Sequence, residues 1–180
     1  MATSMKAKAV GTIHALRRGL GPVLFGLCLW APAAVAQGLT GSTTICGQSV
    51  SYTMTPPALD MSSELRALSG IWVGNATFPV PISGVAEVTQ CRGLIIESIA
   101  ADGVVRSKHI WGDQIRFIAN GANIAIKPGI SNWKGKLTGN VVRFDSPTGY
   151  VFELHLTTAN EMRGAYLTPD GKGAAQFQRQ

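Results

Sequence analysis

Residues 89–111 read TQCRGLIIESIAADGVVRSKHIW. Two runs of β-branched and apolar residues, Thr89–Ile99 and Val104–Trp111, flank Ala101-Asp102-Gly103. An Asp-Gly pair between such runs signals a hairpin, because a tight primed turn needs positive φ at its centre. In a strand, alternate side chains face opposite ways. Val105, Ser107, His109 and Trp111 therefore share one face, and Val104, Arg106, Lys108 and Ile110 the other. The first face is amphipathic, as a cavity wall is.

The same pattern extends in both directions. Ile71–Phe78 is a strand before Pro79 and Pro81. After Trp111 come short apolar pieces at Gln114–Ile118 and Asn123–Lys127 about Asn120-Gly121, then Ile130–Leu137 and Asn140–Phe144 about Thr138-Gly139. Tyr150–Leu156, Met162–Leu167 and Gly173–Arg179 complete the series, separated by Ala159-Asn160 and Pro169-Asp170-Gly171. In Tyr150–Thr157 the alternation is cleanest: Tyr150, Phe152, Leu154 and Leu156 form a face to bury, against Val151, Glu153, His155 and Thr157. Many short strands joined by tight turns indicate an all-β sandwich or barrel. Consecutive hairpins make an up-and-down meander, and closing it removes the two sheet edges. The expected fold is a domain over residues 58–180: an antiparallel up-and-down barrel of about eight strands from about residue 70 to 179, with one short helix before the barrel plugging one end. That helix is expected over Leu59–Leu68: Asp60 or Ser62 can cap it, Met61, Leu65 and Leu68 share a face, and Gly70 ends it.

Residues 1–36 read as a cleaved secretory signal. Lys6, Lys8, Arg17 and Arg18 form a basic leader, Gly19–Trp30 an apolar stretch, and Ala34-Val35-Ala36 a small-x-small cleavage site before Gln37. Uncharged residues continue to Ala36, but Pro22, Pro32 and three glycines break the run, so a stable membrane anchor is not expected. The expected destination is the periplasm or the exterior. Residues 37–57, rich in Gly, Ser, Thr and Pro, read as a flexible arm with one edge strand at Ser49–Met54.

Four of the 16 basic residues belong to the signal, leaving 12 against 10 acids in the remaining 144 of 180 residues. Arg106/Lys108 and Lys134/Lys136 are isolated pairs, not the basic stripe of a nucleic-acid binder, so no nucleic acid is expected as a partner. Two cysteines remain after the signal, Cys46 and Cys91. Disulfides persist in exported proteins, so these two are expected to pair; two inert buried thiols are the other reading. His109 and His155 have no ligand-like spacing to them, so no metal or other cofactor is expected.

No catalytic signature stands out. A G-x-S-x-G elbow and a phosphate loop are both missing. Glu97 and Glu153 are the only acids inside apolar strands, and each is expected to point outward. His109 and His155 lie mid-strand, where a lone histidine is more often satisfied than catalytic.

Gly70-Ile71-Trp72, directly after the short helix and opening the first barrel strand, resembles the G-x-W motif of the lipocalin and wider calycin group. The resemblance implies that Trp72 closes one end of the barrel with Arg179, near the end of the last strand, packed over its ring. It also implies an interior that takes small apolar ligands in many members. The second and third lipocalin motifs and the long helix after the barrel are missing here.

The functional expectation is an exported, non-enzymatic protein that binds a small apolar or amphipathic ligand in its barrel. Ser107, His109, Trp111, Trp133, Tyr150 and Tyr166 are the candidate lining residues. One alternative is a protein-binding or inhibitor module with a solid barrel, using loops such as Phe78–Val88 to hold a protein partner. Another is an enzyme using His109 or Glu97 in the cavity.

Overall fold

The computed structural model describes residues 38–79, 87–117, 123–169 and 171–180. The signal segment 1–36 and the loop core 80–86 lie outside the described residues. Twelve strands form among them: β1 Leu39–Ile45, β2 Gln48–Met54, β3 Gly70–Pro79, β4 Glu87–Ile99, β5 Val104–Trp111, β6 Gln114–Phe117, β7 Asn123–Ile126, β8 Gly129–Thr138, β9 Val141–Asp145, β10 Val151–Thr158, β11 Glu161–Thr168 and β12 Gly171–Arg179. Eight of them close a barrel in the order β10-β11-β12-β3-β4-β5-β8-β9. Every neighbouring pair is antiparallel. The barrel is an up-and-down meander with one excursion: β6 and β7 leave the ring after β5 and pair only with each other.

The pieces β6 and β7 are thus a separate hairpin and not barrel staves; the Asn120-Gly121 turn expected between them lies outside the described residues. Four residues each are too few to span a wall that β4 and β5 cross with 13 and 8. The ring closes where β12 pairs with β3, from Ala174↔Thr77 to Arg179↔Trp72.

One buried cluster runs through the interior, with Trp72, Leu94, Ile96, Phe144, Leu154, Met162 and Phe177 continuous with Trp133, Phe152 and Tyr166. The outward positions carry Arg106, Lys134, Arg143, His155, Arg163 and Gln176, all exposed. That polar-out, apolar-in alternation is the reverse of a lipid-facing barrel wall. Small residues sit where walls press close: a Cβ on Gly74 would meet the Gln176 carbonyl oxygen at 1.9 Å, so only glycine fits there.

Two expectations at the N-terminal side change. The helix is a single turn, α1 Ser63–Arg66, capped by Ser62, whose Oγ accepts from the Leu65 amide at 3.3 Å. Helices this short are marginal by themselves; packing holds this one, with Met61, Leu65 and Leu68 against the barrel core. Leu59 lies outside it and is 89% exposed. The arm over 37–57 contains two strands, not one. They meet in full register from Leu39↔Met54 to Ile45↔Gln48. The two-residue turn is Cys46-Gly47, with φ of 50° and 76°, the positive values of a primed hairpin turn.

This hairpin lies on the outside of the barrel. Ile45 and Val50 pack on Ile95 and Ile110, which face outward from β4 and β5. Cys46 and Cys91 stand at disulfide distance, with sulfurs 2.07 Å apart and Cα atoms 5.7 Å apart. Closing a 45-residue separation is worth ~4 kcal/mol in the chain-entropy account. The double variant Cys46→Ser/Cys91→Ser should therefore lower the thermal midpoint, read by circular dichroism, by on the order of 10 °C. An unchanged midpoint would show that the hairpin's apolar contacts hold it unaided.

Candidate functional site

The barrel has two unlike ends. At the Trp72 end, where β3 starts and β12 finishes, the chain is sealed. Trp72 is fully buried, and its Nε1 donates to the Leu68 carbonyl at 2.9 Å. The Arg179 guanidinium lies 4.6 Å from the indole centroid and donates through Nη1 to the Ser69 carbonyl and through Nε to the Ala159 carbonyl. Gly70 has φ +142°, and a Cβ there would meet Arg179 Nη1 at 2.8 Å. The spacing of Gly70, Trp72 and Arg179 thus has a local reason: the glycine makes room for the cation that covers the ring.

The opposite end, reached by the end of β5 and the start of β10, gathers the other candidates. Ser107 and His109 project inward from β5, Trp133 from β8 and Tyr166 from β11, and all four are buried. Trp111 and Tyr150 are half-buried nearer the rim. The His109 ring centre is 4.4 Å from Trp133, 5.4 Å from Trp111 and 6.4 Å from Tyr166. Tyr166 stacks on Phe152 at 4.4 Å and faces Tyr150 at 6.0 Å. The structure brings the five aromatic and imidazole candidates together, joined by Phe152 and Phe78, while Ser107 lies deeper along β5, level with Ile96.

One member of this cluster was not among the candidates. Arg92, on β4, is 1% exposed and lies inside the barrel with its guanidinium 5.3 Å from the Tyr166 ring centre. It donates to the Cys91 carbonyl at 3.0 Å and to the amide oxygens of Gln90 and Gln114 at 2.6 and 3.0 Å. The signal for it was parity: Arg92 alternates with Leu94 and Ile96, the inward residues of β4.

The polar atoms here are poorly satisfied. Arg92 Nε, Ser107 Oγ and both ring nitrogens of His109 are buried without a hydrogen-bond partner among the described residues. A buried polar atom left unpaired costs about 1–3 kcal/mol. Burial, and secondarily the charge of Arg92, push the His109 imidazole well below its ordinary range. Burial raises the Tyr166 phenol to about 12, against the opposing pull of Arg92, so it is a hydroxyl at neutral pH. The interior thus offers donors: a guanidinium, a phenol, a serine hydroxyl and one imidazole N–H.

Neither acid joins them. Glu97 lies on the outer wall, where it pairs with Lys108 at 3.6 Å and accepts from the Thr53 amide. Glu153 pairs with Arg143 on the outer wall. Glu97 therefore does not enter the barrel, whereas His109 does. Among the described residues no cluster of three or more His, Cys, Asp or Glu could hold a metal. A groove of about 730 Å³ on the outer wall, beside Asn75, Thr89 and Gln176, contains none of the six candidates.

The neutral His109 has a consequence for stability. Its folded-state pKa is depressed, so above about pH 6.5 neither state is protonated. Below that value the unfolded chain takes a proton that the folded chain refuses, and stability falls with falling pH at up to ~1.4 kcal/mol per unit. Urea unfolding between pH 6.5 and 5 should show this slope in the parent protein and a flatter one in His109→Phe. Equal slopes would place the imidazole in contact with water.

No protein-family model matches the chain, and no curated protein matches it.

Proposed function

We propose that this protein binds a small amphipathic molecule at the Tyr150 end of its barrel, without chemistry. The observation that carries the reading is the pairing of aromatic rings with unpartnered donors: His109, Trp133, Phe152 and Tyr166 in mutual contact, and buried polar atoms on Arg92, Ser107 and His109 left for something other than protein. Ligand pockets combine mostly apolar walls with a few polar groups that fix orientation. The packed Trp72 end restricts the ligand to the other end. Its seal of Gly70, Trp72 and Arg179 supports kinship with the calycin group, as a matter of fold more than of function.

The reading includes export. The disulfide-distance pair Cys46–Cys91 suits an oxidising compartment, and the leader before Gln37 has the form of a cleaved signal. The loop reading, in which Phe78–Val88 grips a protein partner, falls on residues 80–86, which lie outside the described residues.

Native mass spectrometry of the protein taken from its own cells under mild conditions is the test. The expected result is a chain beginning at Gln37, carrying a small-molecule adduct that is lost on acid unfolding. A bare polypeptide mass, unchanged after incubation with an organic extract of the same cells, would overturn the binding reading. A chain still carrying residues 1–36 would overturn export.

A further inference from the structure

The guanidinium of Arg92 lacks a counter-charge. It is buried, and its partners are one backbone carbonyl, two side-chain amides and the face of Tyr166. No carboxylate pairs with it among the described residues, and the electrostatic neighbours that act on it are Tyr166 and Tyr150. Taking one cation out of water without an opposite charge costs several kcal/mol. Folded proteins rarely carry that cost for structure alone, since an apolar side chain of similar volume would fill the same space. Near it stand the Tyr166 hydroxyl, hydrogen-bonded to the guanidinium, and the imidazole of His109, whose ring nitrogens have no partner among the described residues. An apolar ligand would leave Arg92 Nε and His109 unsatisfied, and a cationic one would be repelled.

Resting on the barrel-binding reading, we infer that the ligand carries an anionic head group, a carboxylate or an acid of similar size, which meets Arg92 inside the barrel while its apolar body lies against Trp133, Phe152 and Tyr166. A charge-assisted bond to guanidinium is about twice as strong as a neutral one and is favoured further in a desolvated site. Arg92 Nε has no hydrogen-bond partner among the described residues. Gln90 and Gln114 accept from Nη2 and hold the guanidinium in place, leaving Nε for an incoming acceptor.

Two probes of one skeleton separate the charge from the body. 1-Anilinonaphthalene-8-sulfonate is anionic; N-phenyl-1-naphthylamine is the same molecule without the sulfonate. Both are titrated into the mature chain and followed by fluorescence. The sulfonate should bind at least about tenfold more tightly, the usual worth of a hydrogen bond to a charged group. Arg92→Met should reduce that ratio to within about twofold. It should also fold at least as stably as the parent, because it removes an uncompensated buried charge. Arg92→Lys keeps a cation and should retain part of the preference, which answers the question if the methionine variant does not fold. Equal binding of the two probes overturns the anionic head group and leaves the barrel reading standing. Failure of both probes to bind overturns the barrel reading and this inference with it. A preference that survives in Arg92→Met places the anion elsewhere and overturns the assignment to Arg92.

Discussion

The barrel depends on the seam between its last strand and its first. Six register pairs from Ala174↔Thr77 to Arg179↔Trp72 turn an eight-stranded sheet into a tube and leave no free edge in it. The same seam places Arg179 over Trp72, so backbone closure and the plug at that end form together. Without it, both β3 and β12 would present unpaired amides and carbonyls, and the interior aromatics would face water. The arginine works here because it is planar and many-donored: its face covers the indole, and its N–H groups take carbonyls of Ser69 and Ala159 that the ends of the chain leave open.

The two arginines on the barrel's inner side show how burial separates one residue type into two roles. Arg179 is at the rim, where neighbouring carbonyls take two of its donors. Arg92 is enclosed, and its partners are neutral. The contrast arises from position along the barrel axis. A cation at an end can lean toward solvent, whereas one between Tyr166 and the amides of Gln90 and Gln114 cannot. The disposition of the acids sharpens it: Glu97 and Glu153, the two acids noted inside apolar strands, both face out and are paired there.

Much of this was legible in the sequence, and what was not has physical causes. The barrel strands follow from Asp-Gly and Thr-Gly punctuation and from alternation, because a half-buried strand enforces both. Phe152 and Leu154 are buried as that rule requires, while His155 and Thr157 are exposed. The rule misses Val151, which is buried on the other face at the strand's start, and Ile110, which is covered by the outer hairpin. That hairpin was half-visible because β1 is built from Gly, Ser and Thr with one buried isoleucine at its end. Its turn is Cys-Gly, which does not read as a turn unless the cysteine's partner is known. Arg92 was passed over because a lone arginine in a strand is usually solvated, and with Leu94, Ile95 and Ile96 all apolar its parity names the inner face only once Ile95 is known to lie under the outer hairpin.

The tether between Cys46 and Cys91 has a consequence for the order of events as an exported chain enters an oxidising compartment. Both thiols, and the β2, β3 and β4 strands between and around them, are available long before β12, while the last seal must join Arg179 to a residue 110 positions earlier. Loop closure over such a span is slow relative to local hairpins. An early sulfur bridge would lay the β1–β2 ribbon across Ile95 and Ile110 while the sheet is still open. The outer hairpin would thus act as a built-in chaperone, shielding the two outward apolar residues of the nascent sheet from other chains until its own final strand arrives.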